Sequence, residues 1–289
     1  MLRNWIPEEK LNLLHLTQNP NAINYLSQNP DKINWWNLSM NPDAIPLLEK
    51  NPEKIIWCYL SCNPNAIHLL EKNPEKINWY YLSSNPKAIY LLEHNPEKID
   101  WINLSNNPNA IHLLEQNPDK IDWEYLSKNP NAIPLLERNP DKIHWEYFSK
   151  ETTAIHILEQ NPDKIIWENV SRNPNAIEFI EKNMDKVNWH YLSENYNAIH
   201  LLEQNPDKID YYFLSRNKNA IHLISQYLSS NHNSSTQPRF KNLYNRIDWY
   251  YLSGNPNAIH LLEQNQDKVD WCSLSENPSI FEDEDYACK

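Results

Sequence analysis

Apolar residues fall along this chain in two alternating clusters. Between residues 107 and 128, Ala110, Ile111, Leu113 and Leu114 lie on one face at helical spacing, and Ile121, Trp123 and Leu126 form a second set. Asn-Pro stands before each cluster. Asn accepts from the free N–H groups of a first helical turn. Pro loses nothing at the first helical position, where its missing N–H had no partner. It also holds the Asn before it out of helical geometry, which ends the preceding helix. The pattern predicts two short helices per unit. Asp100, Asp122, Asn78 and Asn188 each precede a Trp, where they would cap a fresh helix, with Pro-Asp-Lys-Ile as a 3-10 turn leading into it.

The pair of clusters returns every 22 residues. Tryptophan marks the period at Trp35, Trp57, Trp79, Trp101, Trp123, Trp145, Trp167 and Trp189, and Tyr211 takes the next slot. The following interval, to Trp249, is 38 residues. One repeat therefore carries an insertion, roughly residues 227–242, whose polar Ser/Asn-rich centre predicts a mobile surface loop. The unit reads N-P-x-A-I-x-L-L-E-x-N-P-[DE]-K-I-x-W-x-x-L-S-x. Eleven full units begin at Asn19, Asn41, Asn63, Asn85, Asn107, Asn129, Glu151, Asn173, Asn195, Asn217 and Asn255. Residues 1–18 form a half unit expected to cap the N-terminal end, and residues 277–289 read as an acidic tail.

Helices this short are unstable alone and must bury their apolar faces against the next copy. The expected fold is therefore all-α, an α-solenoid of eleven 22-residue two-helix repeats over residues 19–276, with an α plus 3-10 variant of the second helix left open. Trp57, Trp79, Trp101, Trp123, Trp145, Trp167 and Trp189 are its expected structural core. A leucine-rich repeat of strands can share the period, but its L-x-x-L-x-L-x-x-N motif is interrupted here by two Asn-Pro pairs per unit. Units with damaged starts, at Glu151-Thr152, Asn195-Tyr196 and Asn217-Lys218, are expected to open first.

Composition narrows the chemistry. A single Gly, Gly254, stands against 21 Pro, which argues against P-loops and nucleophile elbows. A net charge of −12 repels phosphate backbones, so a nucleic-acid partner is not expected. Cys58, Cys62, Cys272 and Cys288 have no framework spacing, which fits a reducing compartment. Neither a secretory leader nor an apolar stretch of membrane-spanning length is evident.

Each slot of the unit becomes a line of residues. Glu follows Leu-Leu, as at Glu93, Glu115 and Glu137, and Lys54, Lys76, Lys98 and Lys120 form a basic line. These lines read as a solvated salt-bridge lattice, with an acidic stripe for a basic partner as the alternative. His68, His112, His156, His200, His222 and His260 share one slot, but neighbouring copies about 9 Å apart cannot crowd around one ion whose ligands lie about 2 Å away. No metal and no cofactor are expected. The second position after the Trp holds Tyr59, Tyr81, Tyr125, Tyr147, Tyr191 and Tyr251. These tyrosines are the candidate interaction surface, with half-buried packing between units as the other reading.

The units NPNAIHLLEQNPDKIDWEYLSK (107–128) and NPNAIHLLEKNPEKINWYYLSS (63–84) resemble the Asn-Pro repeat proteins encoded by large amoeba-infecting DNA viruses of the mimivirus group. The similarity covers almost the whole chain. It implies a viral origin and a helical array, without an activity. A looser similarity is to leucine-rich variant repeats, which alternate an α-helix with a 3-10 helix at a slightly longer period. The expected function is a non-enzymatic scaffold for protein–protein interaction, with no membrane role, placed in the host cytoplasm or the virion. The alternative is a structural protein packing side by side in a viral particle.

Overall fold

The computed structural model describes residues 1–232 and 246–282. Among the described residues the regular elements are helices, joined by one antiparallel bridge between Leu2 and Phe281. They form two compact units, Ala22–Ile165 and Met1–Asn21 with Ile166–Lys289. In each, helix pairs stack neighbour on neighbour, as an all-α solenoid requires.

The unit that begins at Asn63 shows the local rules. Its leading helix is Ile67–Lys72, its 3-10 turn is Pro74–Lys76, and its trailing helix is Trp79–Ser83. The trailing helix starts as expected: Asn78 Oδ1 accepts from the Tyr81 amide at 3.2 Å. The two Asn-Pro pairs, however, differ. Asn63 Oδ1 accepts from the Asn65 amide at 3.0 Å and so opens the turn before the leading helix. Asn73 caps nothing after it. Its side-chain amide instead donates back to Leu69 O at 2.9 Å and closes the leading helix. Proline then holds the 3-10 turn, because it fixes φ. Met184 and Gln266 replace that Pro, and both segments relax to irregular turns although Asn183 and Asn265 keep their backward bonds at 2.9 Å.

The deepest line is leucine rather than tryptophan. Leu82, Leu104, Leu126, Leu70, Leu92 and Leu114, with Ala66, Ala88 and Ala110, have no exposed surface. Trp57, Trp79, Trp101, Trp123, Trp145, Trp167 and Trp189 are half-buried. The residue three positions after the Trp, as at Leu126, Phe148 and Val170, is buried, while several indoles lie under a Lys of the next copy.

Between copies runs a buried polar seam. Ser83 Oγ donates to Trp79 O at 2.7 Å and accepts from the Asp100 amide at 2.9 Å. Asn107 Nδ2 donates to Ser83 O and to Asn85 O, both at 3.0 Å. Asn109 Nδ2 donates to Pro86 O at 2.8 Å. Equivalent bonds recur at Asn63, Asn85, Asn129, Asn195, Asn217 and Asn277. Orphan carbonyls at helix ends are thus satisfied by the side chains of the next copy.

The register survives the insertion. The Asp248 amide donates to Ser215 Oγ at 2.9 Å, Asn255 Nδ2 to Asn217 O at 3.4 Å and Asn257 Nδ2 to Lys218 O at 2.8 Å. The segment expected to be a loop at 227–242 begins otherwise: Ile221–His232 is one helix of 12 residues, and 233–242 lie outside the described residues. Tyr211 stacks on Tyr227 at 3.9 Å, which gives the lengthened helix an aromatic contact. The expected acidic tail also begins differently. Pro278–Ile280 is a 3-10 turn with Ile280 fully buried, and Asn277 makes the usual two bonds to Ser253 O and Asn255 O at 2.9 Å. Residues 283–289 lie outside the described residues. The N-terminal half unit caps the C-terminal repeat: its helix Leu13–Leu16 packs on Trp271–Glu276.

Candidate interaction surface

The positions after each Trp lie on the outward turn of the trailing helix. Asn78, Asp100 and Asp122 cap the start of that helix, while Ile56 and His144 stand there without a side-chain cap. The first position after the Trp is the more exposed one, with Cys58 half-buried as an exception. Trp36, Tyr80 and Ile102 are 53%, 56% and 49% exposed. The second position, which holds the tyrosines expected to form the surface, is more enclosed. Tyr59, Tyr81, Tyr125, Tyr147 and Tyr191 are half-buried, and Tyr251 is exposed.

These tyrosines stack along the array. In the Ala22–Ile165 unit, Trp36 meets Tyr59 at 5.0 Å, Tyr59 meets Tyr81 at 5.5 Å, and Tyr80 stands edge-on to Tyr81 at 5.2 Å. Further along, Lys128 Nζ lies 4.3 Å from the Tyr125 ring and 3.7 Å from the Tyr147 ring. In the other unit Arg172 covers Tyr191 at 4.0 Å and Arg216 covers Tyr251 at 4.1 Å, while Tyr191 meets Phe213 at 5.3 Å. Mutual repulsion with Tyr59, and then burial, pushes the Tyr81 phenol above the usual tyrosine range. Burial likewise pushes up the Tyr211 phenol and the Cys62 thiol. A raised thiol is a poorer nucleophile at neutral pH.

The exposed slot changes character within the Ala22–Ile165 unit. It reads Trp36, Cys58, Tyr80, Ile102, then Glu124 and Glu146, so an apolar run passes into an acidic one. This slot varies from copy to copy, whereas tyrosine recurs in the slot beside it. The recurrent tyrosines make ring and cation contacts with neighbouring copies, as Tyr59 does with Tyr81 and Lys128 with Tyr147. The varied slot also reaches the next copy at Trp36, which meets Tyr59.

The charged lines also pair differently from the expected Glu–Lys lattice. Several lysines reach the Trp of the preceding copy: Lys76 Nζ is 4.5 Å from the Trp57 ring, Lys120 is 4.5 Å from Trp101, and Lys208 is 4.6 Å from Trp189, while Lys142 and Lys164 pair with Asp141 and Asp163. In most copies whose slot holds His, the Glu of the preceding copy meets it: Glu93 Oε1 lies 2.8 Å from His112 Nε2, and the same pair recurs for Glu49–His68, Glu137–His156, Glu181–His200 and Glu203–His222. Where Pro134 takes the His slot, Arg138 reaches Glu115 instead. Such exposed pairs contribute about 0.5 kcal/mol each at most in stability.

Among the described residues no cluster of three or more metal-ligating side chains occurs. No helix among them is long and apolar enough to cross a membrane. Comparison with protein-family models, curated proteins and solved structures finds nothing that matches this chain.

Proposed function

We propose that this protein is a non-enzymatic scaffold that binds another protein along the trailing-helix edge of its Ala22–Ile165 unit. The observation that carries the reading is the exposed pair Trp36 and Tyr80, joined through ring contacts with Tyr59 and Tyr81, with exposed Ile102 in the same slot of the next copy. Large exposed aromatics in one contiguous patch mark binding surfaces. The strip leads into Glu124 and Glu146, which fits a partner segment with apolar residues followed by Lys or Arg. The resemblance to giant-virus Asn-Pro repeats supports a viral origin, with the host cytoplasm or the virion as the place of action.

Selection of a random peptide library on the full chain tests this. Enriched peptides should carry aliphatic or aromatic residues followed by basic ones. The doubly substituted Tyr80→Asp, Ile102→Asp chain, checked for an unchanged helical spectrum, should lose them. Enrichment that is the same on both chains would remove the reading.

A further inference from the structure

One repeat of this protein is divided between the two ends of the chain. Asn277 to Ile280 supply the start of a leading segment: Asn277 makes the usual bonds to the previous copy, and Ile280 fills the Ala slot with no exposed surface. Residues 10–17 supply the trailing half. Leu11 stands in the Ile slot and is buried, Asn12 caps the helix, Leu13 takes the Trp slot, Leu16 is fully buried in the Leu slot, and Thr17 replaces Ser. Thr17 Oγ1 donates to Leu13 O at 2.8 Å, as the Ser hydroxyls do elsewhere.

The half unit is seated by the bonds that join consecutive copies. The Asn12 amide donates to Ser275 Oγ at 2.8 Å, which repeats the Asp100–Ser83 bond. Asn19 Nδ2 donates to Ser275 O at 3.1 Å and Asn277 O at 2.9 Å, and Asn21 Nδ2 donates to Pro278 O at 3.0 Å. Lys10 Nζ sits 4.7 Å from the Trp271 ring, as the ladder lysines sit on theirs. Trp5, with no counterpart in the other units, adds a ring contact to Trp271 at 6.4 Å. No peptide bond runs across this joint. Every other joint in the array is crossed by the chain.

We propose that the C-terminal repeat is a docking site for the N-terminal half unit of a second copy of this chain. The chain's own half unit occupies the site in the monomer, held by a high effective concentration. A half unit from another molecule makes the same bonds, because they run from Asn and Ser side chains to backbone groups. Exchange of an identical element therefore costs little beyond loss of that concentration advantage. Raising protein concentration while the ends are apart shifts the occupant from self to second copy.

A thiol pair reports the occupant. Asn12 Nδ2 lies 3.4 Å from Cys272 Sγ, so the full-length Asn12→Cys chain places two thiols at the seat. Isotope-labelled and unlabelled chains are mixed in denaturant, refolded dilute or concentrated, oxidised and digested. Dilute samples should yield 12–272 disulfides between peptides of one label. Concentrated samples should yield mixed-label disulfides, approaching half of the total if exchange is complete. Unmixed disulfides at every concentration would overturn the exchange, and absence of any 12–272 disulfide in a folded chain would overturn the seat. The unmodified chain gives a second readout: concentrated refolding should yield dimers that persist on dilution for at least minutes and that dilute refolding lacks. Monomer alone in both would equally overturn it. Neither readout involves Tyr80 or Ile102, so its failure is separable from that of the binding strip.

Discussion

Asn129 and Glu151 occupy the same slot one copy apart, and the joints they serve are built differently. Asn129 is buried and ties two carbonyls of the previous copy, Ser105 O at 3.0 Å and Asn107 O at 2.9 Å. Glu151 is exposed and pairs with Lys150 at 3.3 Å. Thr152 takes over part of the turn: its Oγ1 accepts from the Ala154 amide at 2.9 Å. At the same joint Phe148 replaces the core Leu and is the largest of the fully buried side chains. It meets Trp145 edge-on at 5.8 Å. One joint depends on a carboxamide that satisfies backbone groups, and the other on a larger apolar surface. The difference shows that the repeat tolerates loss of its most regular polar residue where apolar burial increases nearby.

The comparison can be broken most directly at Phe148. Phe148→Ala should cost about 4 kcal/mol in chemical unfolding, and Leu126→Ala about 3 kcal/mol, since the larger cavity opens where no carboxamide spans the joint. An equal or reversed order would show that the aromatic does not compensate. Asn129→Ala should cost about 2 kcal/mol, because two buried carbonyls lose their donor. A change near zero would mean that water replaces the amide without loss. Restoring the consensus with Glu151→Asn and Thr152→Pro should raise stability by about 1 kcal/mol, the usual scale of a recovered cap and a preset φ. If Phe148 already fills the space, the pair will be neutral or harmful, and the two designs are then alternatives rather than a rule and its defect. Hydrogen exchange sharpens this: the amides of residues 151–155 should exchange faster than those of 129–133. His112→Ala should change stability by under about 0.5 kcal/mol, since its Glu93 pair is exposed.

The array was legible because period, proline and cap residues all act locally. The Asn-Pro starts, the 3-10 turn and the Asp or Asn before many of the Trp residues required knowledge of one unit only. What the sequence hid was set by the neighbouring unit. Two Asn-Pro pairs look alike on paper, yet Asn63 faces the previous copy and is buried, while Asn73 turns back on its own helix. Tyr196 and Lys218 look like damage because they replace Pro. The joints there keep their amides, since Asn195 and Asn217 are intact and make the usual bonds. Of the three starts expected to open first, only Glu151 lacks the Asn itself. Size and regularity point to Trp as the core, but Trp57, Trp79, Trp101, Trp167 and Trp189 stay half-buried with a Lys of the next copy over the ring. The exposure of Trp36, Tyr80 and Ile102 is set by how neighbouring copies stack and could not be read from one unit.

The side-chain bonds across each joint have a consequence for how such a gene can change. They run from Asn and Ser to main-chain atoms, and main-chain atoms are the same in every copy. A recombination event that duplicates or deletes one whole unit would leave matched partners on both sides of the cut. The extra residues between Ser215 and Asp248, spanned by an intact bond of 2.9 Å, show that even a partial addition can be absorbed. Length in this architecture can drift by whole units while the outer slots diverge at their own pace.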